Sequence, residues 1–211
     1  MMNCYFWTTI LFFFCFSLFG QEQHDINQED SIPTKHIIGF SPSKVQKVNG
    51  LNINYWYNKS PSVSTNGIEL GIHPLGIPFT LLTITHPVKM ISNAWSEMDN
   101  PEKRGLNSPG KINGIRLGIA FLDYKTINGI ELNLAGNYAT TVNGISMTPL
   151  VNAHYNVNGL GLAIFGNIDA RVNGIQIGLF NKCKKLRGLQ IGLWNKNGKR
   201  SLPFFNWQFK G

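Results

Sequence analysis

The chain has 211 residues, of which 43% are hydrophobic and 14% are charged, with 22 glycines and a formal net charge of +8. That length is sufficient for one domain of about 100–200 residues with a sizeable buried core. Beyond the N-terminus no stretch approaches the ~20 apolar residues that a spanning helix needs, which excludes a helical membrane protein with several spans.

Residues 1–20 predict a secretory signal peptide. The stretch from Tyr5 to Phe19 is almost wholly apolar, and polar residues follow it directly. A short apolar run that ends before a polar segment is typical of such a signal, and we expect cleavage between Gly20 and Gln21. An N-terminal membrane anchor is the alternative, since the segment contains no lysine or arginine. Residues 21–36 then form a polar linker.

The dominant feature of the sequence is a repeat with a period of 15 residues. Within a unit, apolar side chains alternate with polar ones, so that Ile130 and Leu132 fall on one parity and Glu131 and Asn133 on the other. Because successive side chains of a strand point to opposite sides, this alternation predicts strands of about 13 residues with one apolar and one polar face. The glycines that mark the repeat are Gly114, Gly129, Gly144, Gly159 and Gly174, with Gly188 one residue early and two shorter copies at 48–58 and 65–76.

An Asn-Gly pair joins consecutive units, and we interpret each pair as a hairpin turn. Asn-Gly readily adopts the positive φ angles of a type I′ turn, the preferred two-residue hairpin loop. The apolar parity also switches across each pair, so that Ile127 and Ile130 would face each other on one side of a hairpin. The predicted turn residues are Asn113 and Gly114, Asn128 and Gly129, Asn143 and Gly144, Asn158 and Gly159, and Asn173 and Gly174.

These hairpins predict an all-β fold: an antiparallel up-and-down meander that closes into a small β-barrel of about eight to ten strands. At a tilt of about 45°, such strands cover roughly 30 Å, the thickness of a bilayer core. The alternating aromatic residues from Phe205 to Phe209 are typical of the last strand of an outer-membrane barrel. The alternative is a β-solenoid of 15-residue coils, with aliphatic residues stacked inward and Asn-Gly at a corner. The parity switch favours the barrel, because a solenoid corner does not require it.

Residues 77–111 interrupt the repeat. Four prolines punctuate this segment, and several apolar residues between Met90 and Met98 have helical spacing. The pattern predicts a short amphipathic helix that plugs a lumen, lies on a membrane or covers a sheet edge. Residues 37–211 therefore form a single β-repeat domain with an irregular insertion at 77–111.

Two units resemble the GLQIGLxN repeats of bacterial surface repeat-containing proteins. They read GIQIGLFN at 174–181 and GLQIGLWN at 188–195. The resemblance extends over most of the chain after the linker, although Asn133 and Thr148 stand where the repeat has its second glycine. It implies placement at the surface or in the outer membrane, and it implies no activity and no site residues.

Residues with catalytic or metal-binding chemistry are scattered. The five histidines lack the spacing of metal ligands, and no nucleophile elbow, phosphate-binding loop or calcium repeat is present. We therefore expect no enzyme, and no catalytic, cofactor-binding or metal-binding residue. The polar parity of neighbouring strands carries Arg116, Glu131, Asp169 and Arg171, which we expect to pair inside the fold because an unpaired buried charge is costly. His154 is expected as a hydrogen-bonded interior residue on that same parity, beside Asn152 and Asn156, and Cys183 as a small packing residue.

Charge is unevenly placed, since nine basic residues and no acidic residue follow Asp169. Such a cluster suits the phosphates of outer-membrane lipids or lipopolysaccharide, whereas nucleic acid is not an expected partner of an exported protein. We expect a Gram-negative outer-membrane or cell-surface protein with a structural or surface-exposed role, recognised by the barrel-assembly machinery. The alternative is a secreted or surface-attached β-repeat module that binds glycans or phosphate-bearing surfaces.

Overall fold

The structure, a computed structural model, describes the repeat domain. The described residues are 33–41, 45–55, 63–71, 110–120 and 125–209, and they belong to the second of the two units into which the chain divides, residues 32–211. The expected signal peptide, nearly all of the linker and the insertion up to residue 109 lie outside the described residues.

The described residues form one nine-stranded sheet whose strand order follows the chain. The strands are β1 Thr34–Ser41, β2 Lys47–Asn54, β3 Ser64–Gly71, β4 Lys111–Ala120, β5 Thr126–Thr148, β6 Val151–Ala163, β7 Gly166–Ile177, β8 Phe180–Lys196 and β9 Ser201–Gln208. The first strand starts inside the predicted linker. No helix long and apolar enough to cross a membrane occurs in these described segments.

Consecutive strands from β1 to β8 pair in parallel, so the chain winds as a β-solenoid and not as a meander. Each Asn-Gly pair lies directly beside the next, as with Gly114 against Gly129. The prediction of an antiparallel barrel is therefore wrong, and its alternative, a solenoid of 15-residue coils, is confirmed. Only β9 runs antiparallel to its neighbour β8 among the described strands.

The Asn-Gly pairs lie inside strands and do not reverse the chain. β5 continues through both Asn128-Gly129 and Asn143-Gly144. A type I′ turn needs positive φ at both residues, yet none of these asparagines has a positive φ, while the glycines have φ between +127° and +149°. The predicted hairpin turns are therefore wrong. The breaks between later strands fall instead at residues 149–150, 164–165 and 178–179.

The parity switch across each Asn-Gly pair is a change in the chemistry of the interior. Side chains alternate without interruption through this part of β5: Ile127 and Glu131 are buried, while Asn128 and Ile130 point outward. Before each pair the interior is apolar and the outside carries asparagine. After each pair the interior is polar and the outside is aliphatic. Ile127 and Ile130 thus lie on opposite sides of the sheet, contrary to the hairpin interpretation.

Stacking of the coils explains why glycine marks the repeat. We call the stacked residues Gly50, Gly67, Gly114, Gly129, Gly144, Gly159, Gly174 and Gly188 the glycine column. A Cβ added at Gly144 would lie 2.0 Å from the carbonyl oxygen of Gly129, and similar contacts recur along the column. The positive φ also favours glycine. In β1, Ile37 takes the equivalent place with φ of +80°, and no described strand precedes it.

Apolar side chains fill the part of the interior that precedes each Asn-Gly pair. Ile112, Ile127 and Val142 pack with Ala139 in one cluster, and Val172 packs with Cys183 and Leu186 in another. Cys183 is a buried packing residue, as expected. A third cluster, around Tyr138, Ala153 and Ile168, lies near the breaks between strands. The 14-residue unit fits this stack, because the offset of 15 between Leu162 and Ile177 becomes 14 at Gly166 and Phe180.

Candidate binding face and buried polar axis

A chain of buried polar side chains begins at Glu69 in β3. The Nζ atom of Lys125 lies 3.0 Å from Oε2 of Glu69, and Nε of Arg116 lies 3.5 Å from Oε1. Nη1 of Arg116 donates a hydrogen bond of 3.1 Å to Oε1 of Glu131. The expected pairing of Arg116 with Glu131 is confirmed, with both side chains fully buried.

His154 continues this chain toward β7. Its Nδ1 atom lies 2.8 Å from Oδ1 of Asp169, and its Nε2 atom lies 3.5 Å from Oε2 of Glu131. Ser146 also contacts Nε2, at 3.3 Å. The histidine is thus an interior residue as predicted, but carboxylates and a hydroxyl surround it in place of Asn152 and Asn156.

The charges along this chain compensate each other. Burial alone would lower the pKa of His154, but Asp169 and Glu131 outweigh that effect and raise it from 6.5 to about 9. Burial would likewise raise the pKa of the Glu69 carboxyl, yet Lys125 and Arg116 hold it below its ordinary value. With His154 protonated, the carboxylates of Glu69, Glu131 and Asp169 face three cations.

Uncharged amides extend the chain to the last strand. Gln176 donates to Asp169 at 2.6 Å, Gln190 donates to Gln176 at 2.7 Å, and Asn206 of β9 donates to Gln190 at 2.9 Å. We call the connected residues Glu69, Arg116, Lys125, Glu131, His154, Asp169, Gln176, Gln190 and Asn206 the polar axis. Apart from Lys125, which is 4% exposed, every member is fully buried. Solvent therefore does not reach its carboxylates or its imidazole, and its evident role is structural.

Arg171 does not join the polar axis, and the expectation that it would do so is wrong. It is exposed, and its guanidinium carbon lies 5.3 Å from the centroid of the Tyr155 ring. Arg116 is odd-numbered within a coil where Arg171 has the opposite position relative to its glycine: Arg116 follows Gly114, whereas Arg171 precedes Gly174. The change in interior chemistry at Asn-Gly separates the two arginines.

A second buried array, the inner asparagine ladder, fastens each coil to the next. The side-chain amide of Asn137 donates to Oδ1 of Asn152 at 2.8 Å, and Asn152 donates to Asn167 at 2.7 Å. Each also donates to a backbone carbonyl ten residues later, as from Asn152 to Leu162 at 3.0 Å. The ladder consists of Asn137, Asn152, Asn167, Asn181 and Asn195.

The predicted turn asparagines form an outer asparagine ladder on the surface. The amide of Asn143 donates to Oδ1 of Asn128 at 2.7 Å, and the same bond recurs along the stack. The ladder consists of Asn49, Asn66, Asn113, Asn128, Asn143 and Asn158. Asn173 lies beside Asn158 in the register and is exposed. These residues, together with the glycine column, hold the coils in register.

Two outward columns of apolar side chains run the full length of the sheet. One column is Ile38, Leu51, Ile68, Ile115, Ile130, Ile145, Leu160, Ile175, Leu189 and Trp207. The other is Phe40, Ile53, Leu70, Leu117, Leu132, Met147, Leu162, Ile177, Ile191 and Phe205. None of these residues is buried. With the exposed neighbours Leu134, Ile164, Leu179 and Leu193, they form what we call the apolar face.

The aromatic segment near the C-terminus is the last row of this face. Trp207 pairs with Leu189 and Phe205 pairs with Ile191, so both rings continue the apolar columns. The expectation of a terminal barrel strand rested on the same aromatic residues. In the solenoid they belong to β9, which covers the edge of β8.

The charged residues of the described surface have one sign. All three acidic residues in the described segments, Glu69, Glu131 and Asp169, are fully buried. The exposed charged residues there are Lys35, Lys111, Arg171, Lys185, Arg187, Lys196, Lys199 and Arg200. A cationic surface beside an extended apolar face is the combination that distinguishes the exterior of this protein.

Sequence reasoning missed the inner asparagine ladder and Lys125. The signal for the ladder was present, since Asn137, Asn152 and Asn167 recur with the repeat period, but it gained meaning only with parallel stacking. Within the described segments there is no group of three or more side chains arranged to hold a metal ion. No family model, curated protein or solved structure matches this chain.

Proposed function

We propose that this chain is an exported, non-catalytic β-repeat scaffold on the outer membrane or cell surface of a Gram-negative bacterium. Its role is to present an extended binding surface. The observation that carries the proposal is the apolar face, because ten rows of in-register apolar side chains without a polar member are not needed to fill the interior.

The polar axis supports the non-catalytic part of the proposal. A general acid or base must reach the proton that it transfers. Glu131, His154 and Asp169 are fully buried and already engaged with one another. They act in this proposal as a neutralised interior that holds coils together.

The apolar N-terminal segment and the resemblance of residues 174–195 to surface repeats support the exported location. The test is protease treatment of intact cells, followed by fractionation and mass spectrometry of the mature N-terminus. We expect a chain that starts at Gln21, associates with the envelope and is removed by the protease. A cytoplasmic chain that retains residues 1–20 would contradict the proposal.

A binding module for glycans is the second candidate, and the outer asparagine ladder favours it. Each amide in this ladder uses one N–H to reach its neighbour, as from Asn158 to Asn143, and can offer its other N–H outward. Alanine at Asn143 and Asn158 should then weaken binding to envelope polysaccharide. The apolar face would be unaffected, which separates this candidate from the first.

A further inference from the structure

We propose that the apolar face seats the protein on an anionic phospholipid bilayer, with its side chains at the boundary between headgroups and acyl chains. This inference rests on the proposed surface scaffold and names its partner. The chain would lie on the membrane as a peripheral protein, since the strands enclose a filled interior and present only one apolar side.

The first step in the argument is the size of the face. Nine spacings of about 4.8 Å between strands give a length of roughly 43 Å, and three columns span roughly 13 Å. The product, about 550 Å², lies at the upper end of the largest apolar patch that a soluble monomer exposes. Leu134 and Ile164 are its most exposed aliphatic members, at 62% and 63%.

The second step is the chemistry of the face. A specific protein interface carries about one hydrogen bond per 100–200 Å². The two full columns offer only aliphatic, methionine and aromatic side chains, with the indole N–H of Trp207 as their one polar side-chain group. An acyl-chain boundary requires no directional bonds, so a bilayer suits this composition.

Aromatic residues at the two ends of the face agree with that partner. Phe40 lies in the first row, and Phe205 and Trp207 form the last. Tryptophan is enriched where membranes meet water, because its ring is apolar and its N–H is polar. The guanidinium carbon of Arg200 lies 4.7 Å from the Trp207 ring and places a cation at that end.

The third step is charge. Every exposed charged side chain of the described segments is cationic, and every carboxylate there is enclosed in the polar axis. Anionic headgroups attract such a surface. A second copy of this chain would instead bring like charges together around the contact, which disfavours pairing of two apolar faces.

The test is flotation of the folded mature chain with vesicles of phosphatidylcholine alone, or of phosphatidylcholine with phosphatidylglycerol. We expect binding to the anionic vesicles, with a blue shift of tryptophan fluorescence, and at least about tenfold weaker binding to the neutral ones. Removing cationic side chains should weaken binding about fivefold for each charge that meets the headgroups.

Two double variants separate the contributions of the face and of the charge. Leu134→Asn with Ile164→Asn alters the most exposed part of the face and should weaken vesicle binding at least about tenfold, roughly a factor of ten per 1.4 kcal/mol of lost contact. Lys185→Gln with Arg187→Gln should weaken binding and reduce its dependence on salt. Thr126→Asn with Thr141→Asn is the matched control outside the face and should bind normally. Circular dichroism checks the fold of each variant.

Three outcomes would overturn the inference: folded wild-type chain that stays off anionic vesicles, equal binding by the Leu134 and Ile164 variant, or a solution dimer that this variant abolishes. The last outcome would identify a second copy as the occupant of the face. Failure here with surface exposure retained in cells would refute the lipid partner alone. A cytoplasmic location would refute the scaffold itself.

Discussion

Nδ1 of His154 lies 2.8 Å from Oδ1 of Asp169, and both side chains are fully buried at the centre of the polar axis. The backbone N–H of His154 donates to the same oxygen at 2.9 Å. The imidazole therefore joins two neighbouring coils through one carboxylate, and its protonation decides whether the interior is neutral.

Stability should fall in mildly alkaline solution because of this histidine. Its pKa is raised from 6.5 in the unfolded chain to about 9 in the fold, so its contribution is complete below about pH 6.5 and is lost as the pH rises through 9. The shift corresponds to about 3 kcal/mol of unfolding free energy. Urea denaturation between pH 6 and 10 measures it, in a Cys183→Ala background that removes thiol titration. His154→Gln should flatten the profile, and an unchanged slope would contradict this assignment.

Removing one partner of the Arg116–Glu131 pair should be more damaging than removing both. Glu131→Gln leaves a buried guanidinium and a buried imidazolium short of one negative charge, which should cost about 3–5 kcal/mol. Arg116→Met with Glu131→Met removes the pair together and should recover part of that loss. Chemical denaturation of both single variants and the double variant gives the coupling energy. Additive effects would show that the two groups do not interact.

Alanine in the glycine column should disrupt stacking. At Gly144 the new Cβ would meet the Gly129 carbonyl oxygen at 2.0 Å, and the φ of +144° disfavours any side chain. We expect Gly144→Ala to destabilise the fold by at least about 2–3 kcal/mol, the range given for strained backbone plus steric displacement. Thr141→Ala, three residues earlier and on the outside, is the control. The midpoint of thermal unfolding distinguishes them, and equal midpoints would refute the stacking argument.

Ile37→Gly should have the opposite effect on stability. The β-branched residue has a φ of +80°, a conformation that costs an L-residue about 1–2 kcal/mol and that glycine adopts freely. At Gly50 an added Cβ points toward the preceding strand, so the side chain of Ile37, 77% exposed, points off the free edge of β1. Its removal should also expose that edge to pairing. Sedimentation velocity should then detect end-to-end association, and a purely monomeric variant would exclude this role.

The two asparagine ladders should differ in energy. Asn152→Ala removes the bonds to Asn137, Asn167 and the Leu162 carbonyl in a fully buried site, and leaving buried groups unpaired costs about 1–3 kcal/mol each. Asn143→Ala removes two bonds that water can replace, for a loss of about 1 kcal/mol or less. Parallel denaturant titrations compare the two variants. Equal losses would mean that burial does not set the strength of these ladders.

The sequence predicted the strands, the period and the two-faced pattern, because alternation and repeat length are local properties. It did not predict the direction of pairing. Asn-Gly suits both a hairpin turn and a close approach of stacked backbones, and only the φ values of residues such as Asn143 and Gly144 distinguish the two. Those angles depend on contacts between coils, which the sequence of a single unit does not contain.

The candidate site divides in the same way. Residues of the apolar face were visible as one parity, as with Ile130 and Leu132, although the hairpin interpretation joined them to the interior Ile127. The pairing of Arg116 with Glu131 could be anticipated from their shared parity. The contact of Glu69 with Lys125 could not, since 56 residues separate them and the intervening segment breaks the repeat.

The polar axis also limits how this protein can change its length. Repeat proteins commonly gain or lose units, because each unit contacts only its neighbours. Here, loss of the 15 residues that carry Glu131 would set Arg116 over Ser146 and leave two carboxylates among three buried cations. Duplication of that unit would add an unmatched anion. The number of coils between β3 and β7 is therefore fixed by charge neutrality, and insertions or deletions of whole units can be tolerated only toward the two ends.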